Sequence, residues 1–248
     1  MQVKTLVLFA GGRGTRLSEL TKQSPKPATL VNGRPLITYL IDWAQHNQFK
    51  KVIVCGGYLF NTLRQVIFAY YSKQDVAPLN LQTVSTIIAI GEMELQIIDT
   101  GIDASTGERL RLIQDEIKEE YFMCTYADTL SDIDLRDIVC AAKIEGTKFQ
   151  ATLGHPDARY GEIVIKDGYI TRFKEKATPN FLINRGFYVF HCDLFQEIGV
   201  GESLEEDVLP RLALDKKLRY YISSCWFHSV DSISDLESLE DRLNSKLM

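Results

Sequence analysis

Residues 3–9 (VKTLVLF) form an almost unbroken apolar run that stops at a glycine cluster. A short apolar run bounded by glycine predicts a strand buried on both faces, as in parallel sheets. The signal recurs at 51–57 and at 121–128, where the run ends in Asp128. Between these runs the apolar period lengthens to that of a helix. Residues 35–47 open with Pro35, and 59–71 place Leu59, Leu63, Val66, Ile67 and Tyr70 on one face. Residues 106–117 and 132–145 repeat the pattern, with Thr106 as a plausible N-cap and Gly146 as a stop. Two short β runs surround Gly91 within 81–98. Strand and helix thus alternate through residue 150, which predicts an α/β fold with an open, mostly parallel sheet.

The remainder reads differently. Residues 161–176 predict a β-hairpin turning at Asp167-Gly168, and 181–191 predict another strand. Residues 204–214 predict a helix that Pro210 should kink or shorten. The last segment, 232–248, spaces Ile233, Leu236, Leu239, Leu243 and Leu247 at helical intervals, and Ser234-x-x-Glu237 fits a capping box. No repeat or long linker divides the 248 residues, so a single domain is expected.

Composition narrows the function. Apolar residues make up 45% of the chain, enough for a substantial core. The net charge is −5 and no Lys/Arg run occurs, which argues against a nucleic-acid partner. The five cysteines are odd in number and form no C-x-x-C, so neither a disulfide framework nor a zinc site is expected, and Cys55 and Cys124 read as small buried residues. The chain runs straight into a strand without a signal-peptide pattern, and no apolar stretch approaches the ~18 residues of a membrane span. A cytoplasmic protein without a membrane partner is expected.

The candidate chemistry begins at Leu8–Pro27, LFAGGRGTRLSELTKQSPKP. Glycines following a strand let backbone N–H groups approach phosphate oxygens, and fixed cations balance the charge. The loop lacks the G-x-x-x-x-G-K-[ST] of a Walker A loop and the third glycine of G-x-G-x-x-G, because position 17 is Leu. What remains is a glycine turn with Arg13, Arg16, Lys22 and Lys26, the last stiffened by Pro25 and Pro27. Asp128 lies just past a core strand, where ligands of open α/β sheets bind. It reads as a Mg²⁺ ligand, or else as a helix N-cap, a role that Asp132 and Asp134 serve better. Asp231 reads equally as a second metal ligand or as the N-cap of the last helix. Lys174 and Lys176 share one face of a hairpin strand, which read alone is a solvated edge. No Ser–His–Asp or Cys–His set can be assembled by spacing, so covalent catalysis has no support.

Together these segments resemble the sugar-nucleotidyltransferase family. The resemblance rests on Gly11-Gly12-Arg13-Gly14-Thr15-Arg16-Leu17, on Pro25-Lys26-Pro27 and on Asn32-Gly33-Arg34-Pro35-Leu36-Ile37. Val54 to Tyr58, Asp99-Thr100-Gly101, Thr106 to Leu110, Arg159-Tyr160-Gly161, Phe173 to Lys176, Ile183 to Phe187 and Trp226 to Asp231 look most like its cytidylyltransferases. The resemblance implies a Rossmann-like nucleotide-binding fold with a mixed, mostly parallel sheet. It also implies a small β-rich acceptor and oligomerisation region and a homo-oligomer. Residues 1–150 would mainly bind nucleotide and 151–248 mainly the acceptor.

The resemblance also implies roles. Ala10, Gly11, Gly12, Arg13, Gly14 and Thr15 would cradle CTP, with Thr106, Arg109 and Asp128 also at the nucleotide. Arg16 and Lys26 would be catalytic, holding the triphosphate. Asp128 and Asp231 would bind Mg²⁺. Gly161, Glu175, Lys176, Asn184 and Arg185 would line the acceptor site. The implied reaction joins CTP to a sugar 1-phosphate or related phosphate monoester and releases pyrophosphate. Uridylyl or thymidylyl transfer, and a CTP-binding relative without catalysis, are the alternatives. The sequence departs from the family pattern on the acceptor side. Ala127-Asp128-Thr129 stands for G-D-G, Glu175-Lys176-Ala177 for E-K-P, Asn184-Arg185-Gly186 for N-G-G and Val230-Asp231-Ser232 for M-D-T. If Arg185 faces the site, an acceptor with an additional anionic or polar group would suit it better than glucose 1-phosphate; if it points outward, glucose 1-phosphate still fits.

Overall fold

The computed structural model describes residues 2–15, 21–72, 84–156, 161–175 and 179–246. In chain order the strands are β1 (Val3–Phe9), β2 (Leu30–Val31), β3 (Arg34–Pro35), β4 (Lys51–Gly56), β5 (Ser85–Ile90), β6 (Met93–Asp99) and β7 (Tyr121–Tyr126). They continue with β8 (Thr129–Ser131), β9 (Phe149–Gly154), β10 (Glu162–Lys166), β11 (Tyr169–Lys174), β12 (Ile183–His191), β13 (Leu218–Ile222) and β14 (Phe227–Ser229). The α-helices are α1 (Leu36–His46), α2 (Phe60–Tyr71), α3 (Thr106–Leu112), α4 (Leu135–Glu145), α5 (Leu194–Glu197), α6 (Leu209–Leu214) and α7 (Ile233–Lys246).

Among the described residues, eight strands form one sheet in the order β13-β9-β12-β7-β1-β4-β6-β5. The pairs β7-β1, β1-β4, β4-β6 and β13-β9 are parallel, whereas β12 runs antiparallel to both neighbours and β5 is antiparallel to β6. This is the mixed, mostly parallel α/β sheet expected of a Rossmann-like fold. Its central strands are apolar on both faces because each face is covered. Leu6 and Leu8 join α1 and α2 in one core, while Val7 and Phe9 join Leu110, Leu204 and Leu212 in the other. The segment after 150 adds β12 and β13 to the same sheet, so the change in sequence character does not break it.

Several boundaries differ from the expectation, each for a local reason. The N-cap of α3 is Ser105, whose Oγ accepts from the Glu108 N–H, and Thr106 is the first helical residue. The α-helical part of 204–214 is shortened to α6, with Pro210 in its first turn, and it follows directly on a π turn over Leu204–Val208. At α7 the cap pair is Ser232 with Asp235 rather than Ser234 with Glu237: the Asp235 N–H donates to Ser232 Oγ, which donates back to the Asp235 carboxylate at 2.8 Å. Strands β9 and β13 carry no apolar signal strong enough to predict them, because Gln150, Thr152 and Arg219 interrupt it. Cys55 and Cys124 are buried free thiols, and burial pushes the Cys55 thiol up to about 12, which keeps it protonated and unreactive. Among the described residues no helix is long and apolar enough to cross a membrane.

Candidate active site

The strand order places the site. From β1 the chain steps to β4 and β6 on one side and returns to β7 on the other. The order therefore reverses beside β1, and crevices at the carboxyl ends of such strands take ligands. The glycine loop leaves β1 at that point and lines a cavity of about 540 Å³ together with Lys26, Thr106, Tyr126, Asp128, Glu205 and Asp231.

Arg109 fixes the floor of this cavity. It is 4% exposed, and its guanidinium bridges loops that follow three parallel strands. Nη1 donates to the carbonyls of Gly56 at 2.7 Å and Gly101 at 2.9 Å and to Thr100 Oγ1 at 2.5 Å. Nη2 donates to the Gly11 carbonyl at 3.2 Å. Burial lowers the Arg109 pKa, yet a guanidinium stays charged in proteins. The glycines of the loop then have separate reasons. A Cβ on Gly11 would lie 2.2 Å from the Arg109 guanidinium, and Gly14 has φ +60°. A Cβ on Gly12 would meet nothing within 4 Å, so this glycine leaves its backbone open to the cavity.

Lys26, Asp128 and Asp231 converge although they are far apart in sequence. The short strands β8 and β14 pair antiparallel with Thr129 opposite Ser229, and the Val230 N–H donates to the Asp128 carbonyl at 3.0 Å. That two-strand ladder brings the flanking carboxylates side by side. Lys26, held in a 3₁₀ turn between Pro25 and Thr29, reaches both: its Nζ is 2.6 Å from Asp128 Oδ2 and 2.9 Å from Asp231 Oδ1. The lysine side chain is 10% exposed, against 26% for Asp128 and 39% for Asp231, so the carboxylates face the cavity and the ammonium lies beneath. Two carboxylates converging on one small cation are also a donor set that Mg²⁺ accepts, with its other positions left to water and phosphate oxygens. Thr129 Oγ1 donates to Asp128 Oδ1 at 3.1 Å. The N-cap alternative for Asp128 does not hold: Asp134 caps α4, accepting from the Arg136 N–H at 2.7 Å.

Ala10, Gly11, Gly12, Gly14, Thr15, Lys26, Thr106, Arg109, Asp128 and Asp231 all line this cavity. Arg13 instead pairs with Asp103 at 3.1 Å on the surface. Arg16 and Lys176 lie outside the described residues. A second cavity of about 1160 Å³ shares Asp231 with the first and is lined by Gly161, Arg185, Phe181 and Phe227. Arg185 thus lines a cavity: it donates to the Cys225 carbonyl and, at 3.2 Å, to the His155 carbonyl, with its guanidinium 5.5 Å from the centre of the Phe227 ring. Glu175 approaches the space beside Gly161, where a Cβ would lie 3.1 Å from its carboxylate. Asn184 is exposed on β12, donating to the Tyr188 hydroxyl and accepting from the Gly186 N–H at 2.9 Å. Tyr126, Ser203 and Glu205 are cavity residues that the sequence reading missed. The available signal was Ser203-x-x-Glu206, a capping box in which Ser203 Oγ accepts from the Glu206 N–H. A His191–Cys192–Asp193 cluster near Lys148 serves its own turn, with the Asp193 N–H donating to His191 Nδ1 at 3.1 Å and Lys148 Nζ 2.5 Å from Asp193 Oδ2.

With this geometry established, the chain is a member of the nucleotidyl transferase family: the family model of that description matches residues 5–227. The glucose-1-phosphate cytidylyltransferase of Salmonella typhimurium (strain LT2) is 28% identical over 247 residues, covering 94% of this chain and 93% of the relative. The D-glycero-alpha-D-manno-heptose 1-phosphate guanylyltransferase of Aneurinibacillus thermoaerophilus is 24% identical over 244 residues, covering 96% and 97%. The crystal structure of HddC from Yersinia pseudotuberculosis superposes with a TM-score of 0.71 at 18% identity, covering 97% of this chain and 100% of that one.

Proposed function

We propose that this nucleotidyltransferase is a Mg²⁺-dependent cytidylyltransferase that joins CTP to a sugar 1-phosphate or related phosphate monoester and releases pyrophosphate. The observation that carries the reading is Lys26 set between Asp128 and Asp231 beside the glycine loop. Cytidine is preferred over other bases on the relatives at 27% and 28% identity, named as a "Probable glucose-1-phosphate cytidylyltransferase" and a "Glucose-1-phosphate cytidylyltransferase".

The chemistry follows from charge. An acceptor phosphate oxygen attacks the α-phosphorus in line, the new P–O bond forms, and pyrophosphate leaves with the electrons of the broken one. A phosphate monoester is largely dianionic near neutral pH, its second pKa being about 6, so no general base is needed. The obstacle is repulsion between two anions. Lys26 counters it from beneath, and the glycine loop offers backbone donors without reorganisation. Asp128 and Asp231 would hold Mg²⁺, which supplies charge neutralisation at the phosphates when bound.

The test is a matrix of CTP, UTP, GTP and dTTP with Mg²⁺ against phosphorylated sugars, polyols and amino-acid derivatives, read by pyrophosphate release. The expected result is release with CTP that depends on the acceptor. Because Arg185 lines the second cavity, an acceptor with a carboxylate or other anionic group beyond its phosphate is expected to outperform glucose 1-phosphate. Full activity on glucose 1-phosphate with nothing better removes that acceptor argument. Nucleotide binding without release for any acceptor removes catalysis.

We also propose a homo-oligomer. Ile165, Tyr169, Ile170 and Phe173 on the β10-β11 hairpin are 71%, 76%, 61% and 63% exposed. An isolated two-stranded hairpin is marginal in water, and a second copy would cover this apolar surface. Light scattering is expected to give a multiple of the chain mass, and Ile165→Asp with Phe173→Asp is expected to reduce it. A monomeric wild-type protein would refute the assembly.

A further inference from the structure

One hydrogen-bond network runs from the nucleotide-side cavity to β12, joining Thr106 and Asn184 through residues to which the sequence assigns no substrate. It centres on Glu205, in the π turn over Leu204–Val208. One carboxylate oxygen accepts from the Tyr126 hydroxyl, and the other accepts from Thr106 Oγ1 and, at 3.1 Å, from Ser203 Oγ. The Leu204 N–H donates back to Thr106 Oγ1 at 3.0 Å. Tyr126 continues the chain: its hydroxyl is 3.2 Å from that of Tyr188, which accepts from Asn184 Nδ2. Thr106 lines the nucleotide-side cavity, and Asn184 stands beside Arg185 on β12, the strand that lines the other.

The segment bearing Glu205 is anchored independently. Arg211 donates to both carboxylate oxygens of Glu202 at 2.7 and 3.0 Å, and the Glu202 carbonyl accepts from the Glu108 N–H and from Ser105 Oγ. Gly107 allows this contact, since a Cβ there would lie 2.4 Å from that carbonyl. Tyr126 is held as firmly. Its ring packs on Phe9 and lies where a Cβ on Gly186 would sit, 2.5 Å away. Burial raises the Tyr126 and Tyr188 pKa values, so both stay phenols and Tyr126 can donate to the carboxylate.

The two walls of the nucleotide-side cavity also differ in the charged groups they present. Ala28 and Val230, neighbours of Lys26 and Asp231, belong to the core on one face of the sheet, whereas Leu110 and Leu204, neighbours of Thr106 and Glu205, belong to the core on the other. Lys26 lies at the first wall between Asp128 and Asp231, a set fitted to phosphates with a bound Mg²⁺, while the Arg109 guanidinium in the floor is taken up by loop carbonyls. Glu205 and Glu206 line the second, where a triphosphate is repelled and the uncharged nucleoside end is favoured. Resting on the nucleotidyltransferase reading of this cavity, we propose that Glu205 is a positioning residue: it holds Thr106 and Tyr126 so that the nucleoside end of the nucleotide seats on the second wall.

Calorimetry with Mg²⁺ tests this by comparing a whole nucleotide with inorganic tripolyphosphate, which lacks the nucleoside. The nucleotide is whichever of CTP, UTP and GTP the wild-type protein binds best. Glu205→Ala is expected to weaken the nucleotide about tenfold and to leave tripolyphosphate within about twofold. Tyr126→Phe keeps the ring and removes only the hydroxyl, so it is expected to show the same selective loss at smaller size. The double variant should cost little more than Glu205→Ala alone, because the two groups act as one unit. Glu205→Gln, which retains one accepting oxygen, should recover part of the loss and serves if the alanine variant does not fold. Equal weakening of nucleotide and tripolyphosphate would reduce Glu205 to a structural residue, and unchanged nucleotide affinity in both Glu205 variants would overturn the proposal. A wild-type protein that binds neither ligand would refute the nucleotide reading itself, and this inference with it.

Discussion

Lys26→Met is expected to lower kcat/KM for nucleotidyl transfer by about 10³-fold, within the range for losing one preorganised group that meets developing charge in a dry site. The side chain is nearly the same length, so packing beside Gly14 is retained and the charge alone is lost. Because Lys26 also balances Asp128 and Asp231, the variant leaves two carboxylates facing each other. Both are partly exposed, at 26% and 39%, so water screens them and the stability cost is expected to be only about 1 kcal/mol. The two effects separate in one experiment. Pyrophosphate release should collapse while the melting temperature falls by only ~2–4 °C. Mg²⁺ should then raise the melting temperature of the variant more than that of the wild-type protein, since its two carboxylates no longer share a lysine. Lys50 gives the matched control: it pairs with Glu92 at 2.6 Å on the surface, and Lys50→Met should leave activity unchanged. An active Lys26→Met protein would remove Lys26 from the reaction.

How far this site was legible in the sequence depends on the range over which each contact acts. The glycine loop and Pro25-Lys26-Pro27 are local: the end of the strand, the turn and the stiffened lysine lie within the twenty residues Leu8–Pro27, and spacing alone pointed to a bound polyphosphate. Asp128 was readable because it follows an apolar strand that must end near the ligand crevice. Asp231 was not decidable in this way. Its place beside Asp128 depends on the pairing of β8 with β14, strands of three residues each, too short to carry a period. Glu205 was invisible for a related reason. It reads as one acid among Glu205, Glu206 and Asp207 at the start of a helix, and only the π turn aims its carboxylate at Thr106 and Tyr126. The antiparallel insertion of β12 between β7 and β9 was equally hidden, because the choice of neighbour is made by tertiary packing and not by the strand's own pattern.

Arg109→Met is expected to produce the largest loss of stability of any single change in the site, about 4 kcal/mol, or a fall of roughly 8–16 °C in melting temperature. The methionine fills much of the volume but returns no donors. The carbonyls of Gly11, Gly56 and Gly101 then lose the guanidinium that all three share; Gly11 keeps the Tyr58 N–H and Gly56 keeps Thr100, so what is lost is the charged bridge between the three loops. Arg109→Lys divides this effect into two. A lysine ammonium has three donors on one nitrogen, matching the three acceptors of Nη1, namely Gly56, Thr100 and Gly101. It has no second nitrogen for the Gly11 carbonyl. Lysine is therefore expected to restore much of the stability by rejoining the β4 and β6 loops, yet to leave nucleotide affinity low because the glycine loop after β1 is then held at Gly11 by the Tyr58 N–H without the guanidinium. Gly11→Ala approaches the same contact from the other side, since its Cβ would lie 2.2 Å from the guanidinium and must push either the loop or the arginine away. It should mimic the lysine variant, with a modest stability loss and a large loss of nucleotide binding. If Arg109→Lys and Gly11→Ala instead bind nucleotide as the wild-type protein does, the cradle does not depend on the Gly11–Arg109 bond, and Arg109 serves only to join β4 to β6.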